Sequence, residues 1–384
     1  MSLPDRPNLE YLKKLAKDRL QDLRRGRPAA RLAEAQLAVA REHGFRSWRA
    51  LRSHLDSGRL AERAVRVEEL FAAIRRGEEA GVTRVLDADP TLADARDAEG
   101  STPLLTAVDF HRPAIVQLLL GRGADPGGVY AHSAHTPLSW VVTAESFEAA
   151  EVLVRAGVEP DLYCAAGLGD VERIHAFFGP DGRLRPGASK TGSSRYAPDG
   201  SRLPCPPPTP PEIVADALYI ACRCGREAAV RELLTHEPDL SFRAFAGATA
   251  LHWAHFAGAP AVAALLVQHG ADPTLRDPVL GCTPDAFGIN FAASTGWLGK
   301  VRGQVARDPG LVHATSARGG PLHEAAWAGA LEALKVLVDT GADPAKRNAE
   351  GKTALDLARE RPDRAGCVAV AEWLKGSALE PRRS

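Results

Sequence analysis

Three groups of residues have the types and spacing that chemistry needs. His252 and His255 lie three apart, and Cys222 stands 33 residues before His255 (255 − 222 = 33). Histidine and cysteine sets hold zinc when their ligand atoms come within about 2.0–2.3 Å of one point. Packed helices are about 8–10 Å apart, and the sequence indicates no fourth ligand. His323-Glu-Ala-Ala-Trp327 opens like a His-Glu-x-x-His zinc-protease helix, but Trp327 stands where the second histidine belongs. Gly187-Ala-Ser-Lys-Thr191 has the composition of a phosphate-binding loop. However, Ser189 rather than Gly precedes Lys190, and no strand or helix pattern flanks the segment. A Gly-x-Ser-x-Gly elbow is absent, as is a Cys/His pairing suited to nucleophilic catalysis. The sequence therefore assigns no catalytic, cofactor-binding or metal-binding residue. It points to a protein that is not an enzyme and uses no cofactor.

The totals set further limits. The 384 residues carry 48 Lys+Arg against 48 Asp+Glu, so formal net charge is zero. That balance argues against a broadly basic nucleic-acid surface. Six cysteines at 164, 205, 222, 224, 282 and 367 have no regular spacing, so they suggest free thiols in a reducing cytoplasm rather than a disulfide framework. The N-terminal residues lack the apolar stretch of a secretory signal, and no apolar run approaches the ~20 residues of a membrane span.

What must position any binding residue is a recurring helical unit, clearest from Ala248 to Asp272. Thr249 can cap the free N–H groups of a first helix. Leu251, Ala254 and Ala257 recur at helical spacing, and Val262, Leu265 and Leu266 form the apolar face of a second helix. Gly258 and Gly270 supply the left-handed turns that stop the two helices. Helices this short are marginal alone and must bury their faces against copies of themselves. Copies are present: Thr102-Pro-Leu-Leu to Thr136-Pro-Leu-Ser is 34 residues (136 − 102), Leu218 to Leu251 is 33, and Leu322 to Leu355 is 33.

With its Thr-Ala-Leu-His-Trp-Ala core, Gly258, Leu265-Leu266 and Gly270-Ala-Asp, the unit resembles an ankyrin repeat, with Ala250 in place of the motif's proline. Pro321-Leu-His-Glu-Ala-Ala with Gly341-Ala-Asp is the clearest late copy. The resemblance spans roughly residues 66–375. It implies an all-α solenoid of helix-turn-helix units, joined by short β-hairpin fingers. It also implies that His252 and His323 are structural bridges between neighbouring repeats rather than metal ligands.

The expected organisation is a helical N-terminal cap over 1–60, repeats over 66–178, an insertion over 179–211, repeats over 212–375, and a tail over 376–384. Residues 1–60 carry 14 Lys/Arg against 7 Asp/Glu. They predict one helix from Asn8 or Leu9 to about Arg25, a second from about Arg31 to His43 ended by Gly44, and a short third from Ser47. This segment resembles the N-terminal part of bacterial ankyrin proteins. A cap shielding the first repeat is the preferred reading, and a DNA-binding role is the alternative. The insertion holds nine Pro and five Gly in 33 residues, including a Cys205-Pro-Pro-Pro-Thr-Pro-Pro polyproline stretch. It reads equally well as a loose loop or as a docking arm.

In the ankyrin family, fingers and the exposed sides of first helices line a concave groove. Mapping the motif onto this sequence selects Trp140, Trp253 and Phe287 just after the histidine position, and Phe256 and Trp327 three residues further on. These five aromatics are expected as exposed partner-binding anchors. The expected function is a monomeric, cytoplasmic, non-enzymatic scaffold that binds a protein of unknown identity. Neither a membrane nor a nucleic acid is an expected partner. The alternatives are a nucleic-acid-associated regulator using residues 1–60, and an enzyme with an unrecognised site.

Overall fold

The computed structural model describes residues 9–43, 45–128, 135–189 and 209–377. Its N-terminal helices are α1 (Leu9–Gly26), α2 (Leu32–Glu42) and α3 (Trp48–Arg76). Helix pairs follow in register: α3 with α4 (Glu79–Ala88), α5 (Pro103–Asp109) with α6 (Pro113–Gly121), α7 (Pro137–Thr143) with α8 (Phe147–Arg155), and α9 (Leu162–Leu168) with α10 (Val171–Ala176). After the insertion come α11 (Pro210–Arg223) with α12 (Glu227–Leu234), α13 (Ala250–Ala257) with α14 (Pro260–Gln268), and α15 (Pro284–Thr295) with α16 (Leu298–Arg307). The last pairs are α17 (Pro321–Ala328) with α18 (Leu331–Asp339) and α19 (Ala354–Arg359) with α20 (Ala365–Ser377). Each first helix packs on the next first helix, from α5 through α19. One hydrophobic core runs through the stack from Leu70 to Leu374. The chain is thus an all-α repeat solenoid.

Local chemistry explains the elements. The Thr102, Thr136 and Thr353 hydroxyls accept N–H bonds from the third helical residue, and Pro103 and Pro137 sit at the first helical position. Gly258, Gly296 and Gly329 take left-handed φ values of +67°, +70° and +74° where first helices end. Arginine adds a second kind of cap. Arg112, Arg226, Arg307 and Arg361 donate to the carbonyls of Arg75, Gly167, Gly258 and Trp327, each at the end of a first helix in an earlier repeat. These bonds satisfy orphan carbonyls and place cations at the negative helix ends. His252 bridges repeats as the resemblance implied. Its Nδ1 accepts from the Thr249 backbone N–H at 3.2 Å, and its Nε2 lies 3.3 Å from the Cys282 carbonyl, to which it donates.

Three expectations require correction. The third helix is not short: α3 continues for 29 residues and supplies the first helix of the first pair. Its sequence is rich in strong helix formers and contains no proline, so the helix runs on through Asp56-Ser57-Gly58 to Gly77. The fingers are not β-hairpins: among the described residues they are single turns without strands. Hydrogen bonds such as Asp97 N to Ser101 O, Asp277 N to Cys282 O and Asn348 N to Lys352 O close them. Three of the five aromatics expected to be exposed are buried, as detailed below.

The insertion departs from the array between two helices that pack together, α9 and α11. Its first residues fold back. Phe178 bridges Leu184, Phe178 stacks on His236, and the Leu162 N–H bonds the Ala188 carbonyl. Helix α11 begins inside the expected insertion, because Thr209 and Glu212 form a capping box around Pro210. Residues 190–208, including Lys190 and most of the polyproline stretch, lie outside the described residues, as do Gly44 and most of the tail. Close packing also fixes Gly167 on α9: an added Cβ would overlap Val142 and meet Ile220 at 3.0 Å.

Candidate binding site on the first-helix face

The residues that shape this face come from the ends of first helices and the turns before them. Arg223 is the last residue of α11 and is only 5% exposed. Its Nε donates to the Thr143 carbonyl at the end of α7, at 3.1 Å. Its guanidinium carbon lies 4.5 Å from the Trp253 ring centre, 5.3 Å from Phe256 and 5.7 Å from Trp297. A cation in an aromatic box is held electrostatically by the ring faces. Even so, Nη1 is buried with no hydrogen-bond partner. Tyr219, one turn earlier on α11, is 1% exposed, and its hydroxyl has no partner at normal hydrogen-bond distance, only a weaker interaction with the Tyr163 hydroxyl. Leaving such groups unpaired costs roughly 1–3 kcal/mol each.

Both side chains line a cavity of about 460 Å³ whose other walls include Trp140, Phe245, Trp297 and His135. Burial pushes the Tyr219 phenol up to about 12, so it is a protonated donor at neutral pH. Burial pushes His135 down to about 4, with Asp161 opposing, so its imidazole is neutral there. Next to this cavity Lys300 pairs with Glu145 at 2.6 Å and sits 4.9 Å from the Phe256 ring centre. The second oxygen of Glu145 is buried without a partner.

Backbone strain is concentrated on the same side. The left-handed position that ends the first helices from α9 to α17 is glycine, but here it is His111 (φ +51°) after α5 and Glu145 (φ +57°) after α7. A non-glycine residue there costs roughly 1–2 kcal/mol. His111 lines the cavity and Glu145 holds Lys300.

A second cavity, of about 580 Å³, adjoins the first through Thr295, which lines both. Here Trp327 lies between Arg318 and Arg361, whose guanidinium carbons are 5.3 Å and 4.6 Å from its ring centre. Arg318 bonds Glu324, which also accepts from Ser316. Burial raises the Glu324 carboxyl pKa, with Arg318 opposing.

Trp140 and Trp327 line the two cavities as half-buried walls. Trp253, Phe256 and Phe287 are 0% exposed and lie beneath the surface. Trp253 contacts Phe256 and Phe287 edge to face, with both centroid separations 5.2 Å. The physical reason is that α13 is packed between α11 and α15. The positions after the histidine face those neighbours, and Arg223 and Phe291 cover what remains. Sequence reasoning missed Arg223, Tyr219, Phe245, Trp297 and Lys300. A signal existed for Arg223: shifted by one repeat of 33 residues, Phe256 falls on position 223.

The other chemistry-bearing residues of the sequence do not assemble a site. Cys222 is fully buried, and burial raises its thiol pKa. Among the described residues no three His, Cys, Asp or Glu side chains are placed to hold a metal ion. No helix is long and apolar enough to cross a membrane, among the described residues.

Comparison with known proteins gives the same unit. Residues 212–277 match the model "Ankyrin repeats (3 copies)", and residues 99–129 and 320–349 each match "Ankyrin repeat". The human B-cell lymphoma 3 protein is 24% identical over 303 residues, 77% of this chain and 54% of that protein. The mouse B-cell lymphoma 3 protein homolog is 24% identical over 283 residues, 72% of this chain and 52% of the homolog. The tyrosine-protein kinase HTK16 of Hydra vulgaris is 34% identical over 150 residues, 37% of this chain and 19% of the kinase. The chain spans about half the length of the B-cell lymphoma 3 relatives it matches.

Proposed function

Because this chain is an ankyrin-repeat protein, we propose that it is a non-enzymatic scaffold whose first-helix face forms a groove that binds an extended segment of a partner protein. The observation that carries this reading is the pair of adjoining cavities that meet at Thr295. Along them Arg223, Lys300, Arg318 and Arg361 are held over aromatic rings. Fixed cations on rigid aromatic platforms suit an acidic partner segment, and half-buried Trp140 and Trp327 supply apolar contact area. Half-buried Glu145 and buried Glu324 are engaged by Lys300 and Arg318, so Arg223 and Arg361 are the cations this face offers. A capping role for residues 1–60 rests on the continuity of α3 alone, because Leu12, Ala16, Val39, Ala40, Leu51 and Leu55 form a separate core and the packing on α4 and α5 comes from the later half of α3, at Leu70 and Ile74.

Hydrogen exchange on the protein with and without a partner isolated by affinity capture tests this reading. Protection is expected in the turns and ends of first helices from α5 to α17. Protection confined to second helices, or to α1 and α2, would overturn it.

A further inference from the structure

We propose that the cavity between α7, α11 and α15 is a binding site for a small organic carboxylate with a flat apolar body. Its volume, about 460 Å³, falls within the roughly 300–1,000 Å³ of small-molecule pockets. The inference goes beyond the scaffold reading, since such a ligand needs no partner protein.

The case rests on unsatisfied donors. Arg223 Nη1 and the Tyr219 hydroxyl are both buried, both without a partner at normal hydrogen-bond distance, and carried by side chains that line the cavity. No described carboxylate forms an ion pair with Arg223; Glu145 is held by Lys300, and Asp216 lies seven residues earlier on α11, about 10 Å along the axis. The Thr143 carbonyl compensates Arg223 only in part. A buried guanidinium with an unpartnered N–H presents a donor to an acceptor group, and a charge-assisted bond to an anion is the strong version of that contact. The Tyr219 phenol, which also interacts with Tyr163, lines the same cavity.

The surroundings select the anion. Thr143, Ala144, Arg223 and Thr295, which line the cavity, sit at the C-terminal ends of α7, α11 and α15. Helix C-termini carry partial negative charge and disfavour a dianion such as phosphate. A single carboxylate matches a lone guanidinium that the Thr143 carbonyl and the helix ends neutralise only in part. Trp140, Phe245 and Trp297 form the remaining walls, and these aromatic surfaces suit a flat apolar body. The strained backbones of His111, which lines the cavity, and of Glu145, which follows the lining residue Ala144, fit a region retained for binding rather than stability.

The test is calorimetry and thermal melting of the full chain, without any partner, with benzoate, 3-phenylpropionate, indole-3-acetate and hexanoate as probes. At least one aromatic acid is expected to bind saturably and raise the melting temperature. Its neutral isostere (3-phenylpropanol for 3-phenylpropionate) should bind at least about tenfold more weakly. Arg223→Gln and Tyr219→Phe should each weaken the acid by a similar factor. Tyr219→Phe removes one hydroxyl and is the variant expected to keep the wild-type melt. A peptide ending in Gly-Gly-Phe, with free or amidated carboxyl, separates the two sources of a carboxylate. Tighter binding of the free-acid peptide than of 3-phenylpropionate would overturn the small-molecule assignment. Equal binding of acid and alcohol, no binding below about 1 mM, or binding unchanged in both variants would overturn the site. None of these results bears on protection of the groove by a protein partner, so the two readings fail separately.

Discussion

Replacing Trp253 by alanine is expected to unfold or strongly destabilise the array, because the ring is structural. The side chain is 0% exposed and touches Tyr219, Phe256, Phe287 and Phe291, with centroids 5.0–5.4 Å away. A buried tryptophan removes roughly 200 Å² from water. At about 25 cal/mol per Å² that is about 5 kcal/mol, an upper bound. Loss of the ring beneath Arg223, at 4.5 Å, removes about 1 kcal/mol of cation–π attraction. Trp253 Nε1 is buried without a partner, so deleting it returns about 1 kcal/mol. The last two terms cancel, so the net expectation is at most about 5 kcal/mol, the top of the ~3–5 kcal/mol measured for buried aromatic truncation. Trp253→Phe, which keeps a ring and removes the stranded N–H, should cost only about 1–2 kcal/mol. Urea melts followed by both circular dichroism and tryptophan fluorescence read these values and check that the array unfolds together. A Trp253→Ala loss below about 1.5 kcal/mol would refute the burial argument.

Three further outcomes follow from the packing. Gly167→Ala should destabilise by about 2 kcal/mol in the same melts, since the overlap with Val142 outweighs the ~1 kcal/mol gained in helix propensity; a stabilised variant would mean the repeats can separate freely. His111→Gly should stabilise by about 0.5–1 kcal/mol by relieving its left-handed backbone, and an unchanged melting temperature would show that no strain is stored there. His252 is held down to about 4 mainly by burial, against about 6.5 unfolded. Its pKa is depressed on folding, so its contribution is complete above pH 6.5 and lost as pH falls toward 4. A depression of that size corresponds to about 3 kcal/mol. The stability difference between the protein and His252→Gln should shrink by that order between pH 7 and pH 4, whereas a pH-independent difference would place the imidazole in solvent.

The repeat fold was legible because its signals are local. Threonine caps, helix-stopping glycines and a 33–34-residue phase are written into contiguous residues, and the α1 and α2 bounds followed from leucine spacing. What was not legible depends on the neighbours. Nothing in Trp253-Ala-His-Phe256 says that α11 will place Arg223 over its rings. The face of a short helix that periodicity marks as surplus is, in a stack, the face that meets the next repeat. Trp140 and Trp327 escape because the repeat surfaces beside them leave the two cavities open. The unbroken α3 was not legible because Asp56-Ser57-Gly58 has the composition of a helix end, yet the helix continues through it.

The central claim, that the first-helix face binds a protein segment, is tested most directly by one affinity comparison. With a partner obtained by capture and then purified, Trp140→Ala combined with Trp327→Ala should weaken binding by at least about 2 kcal/mol, roughly thirtyfold. A control pair on second helices, Val154→Ala with Val267→Ala, exposed at 38% and 44%, should leave the affinity within about twofold of wild type. Equal affinity for the groove variant and wild type, with both folded in the melt, would contradict the account.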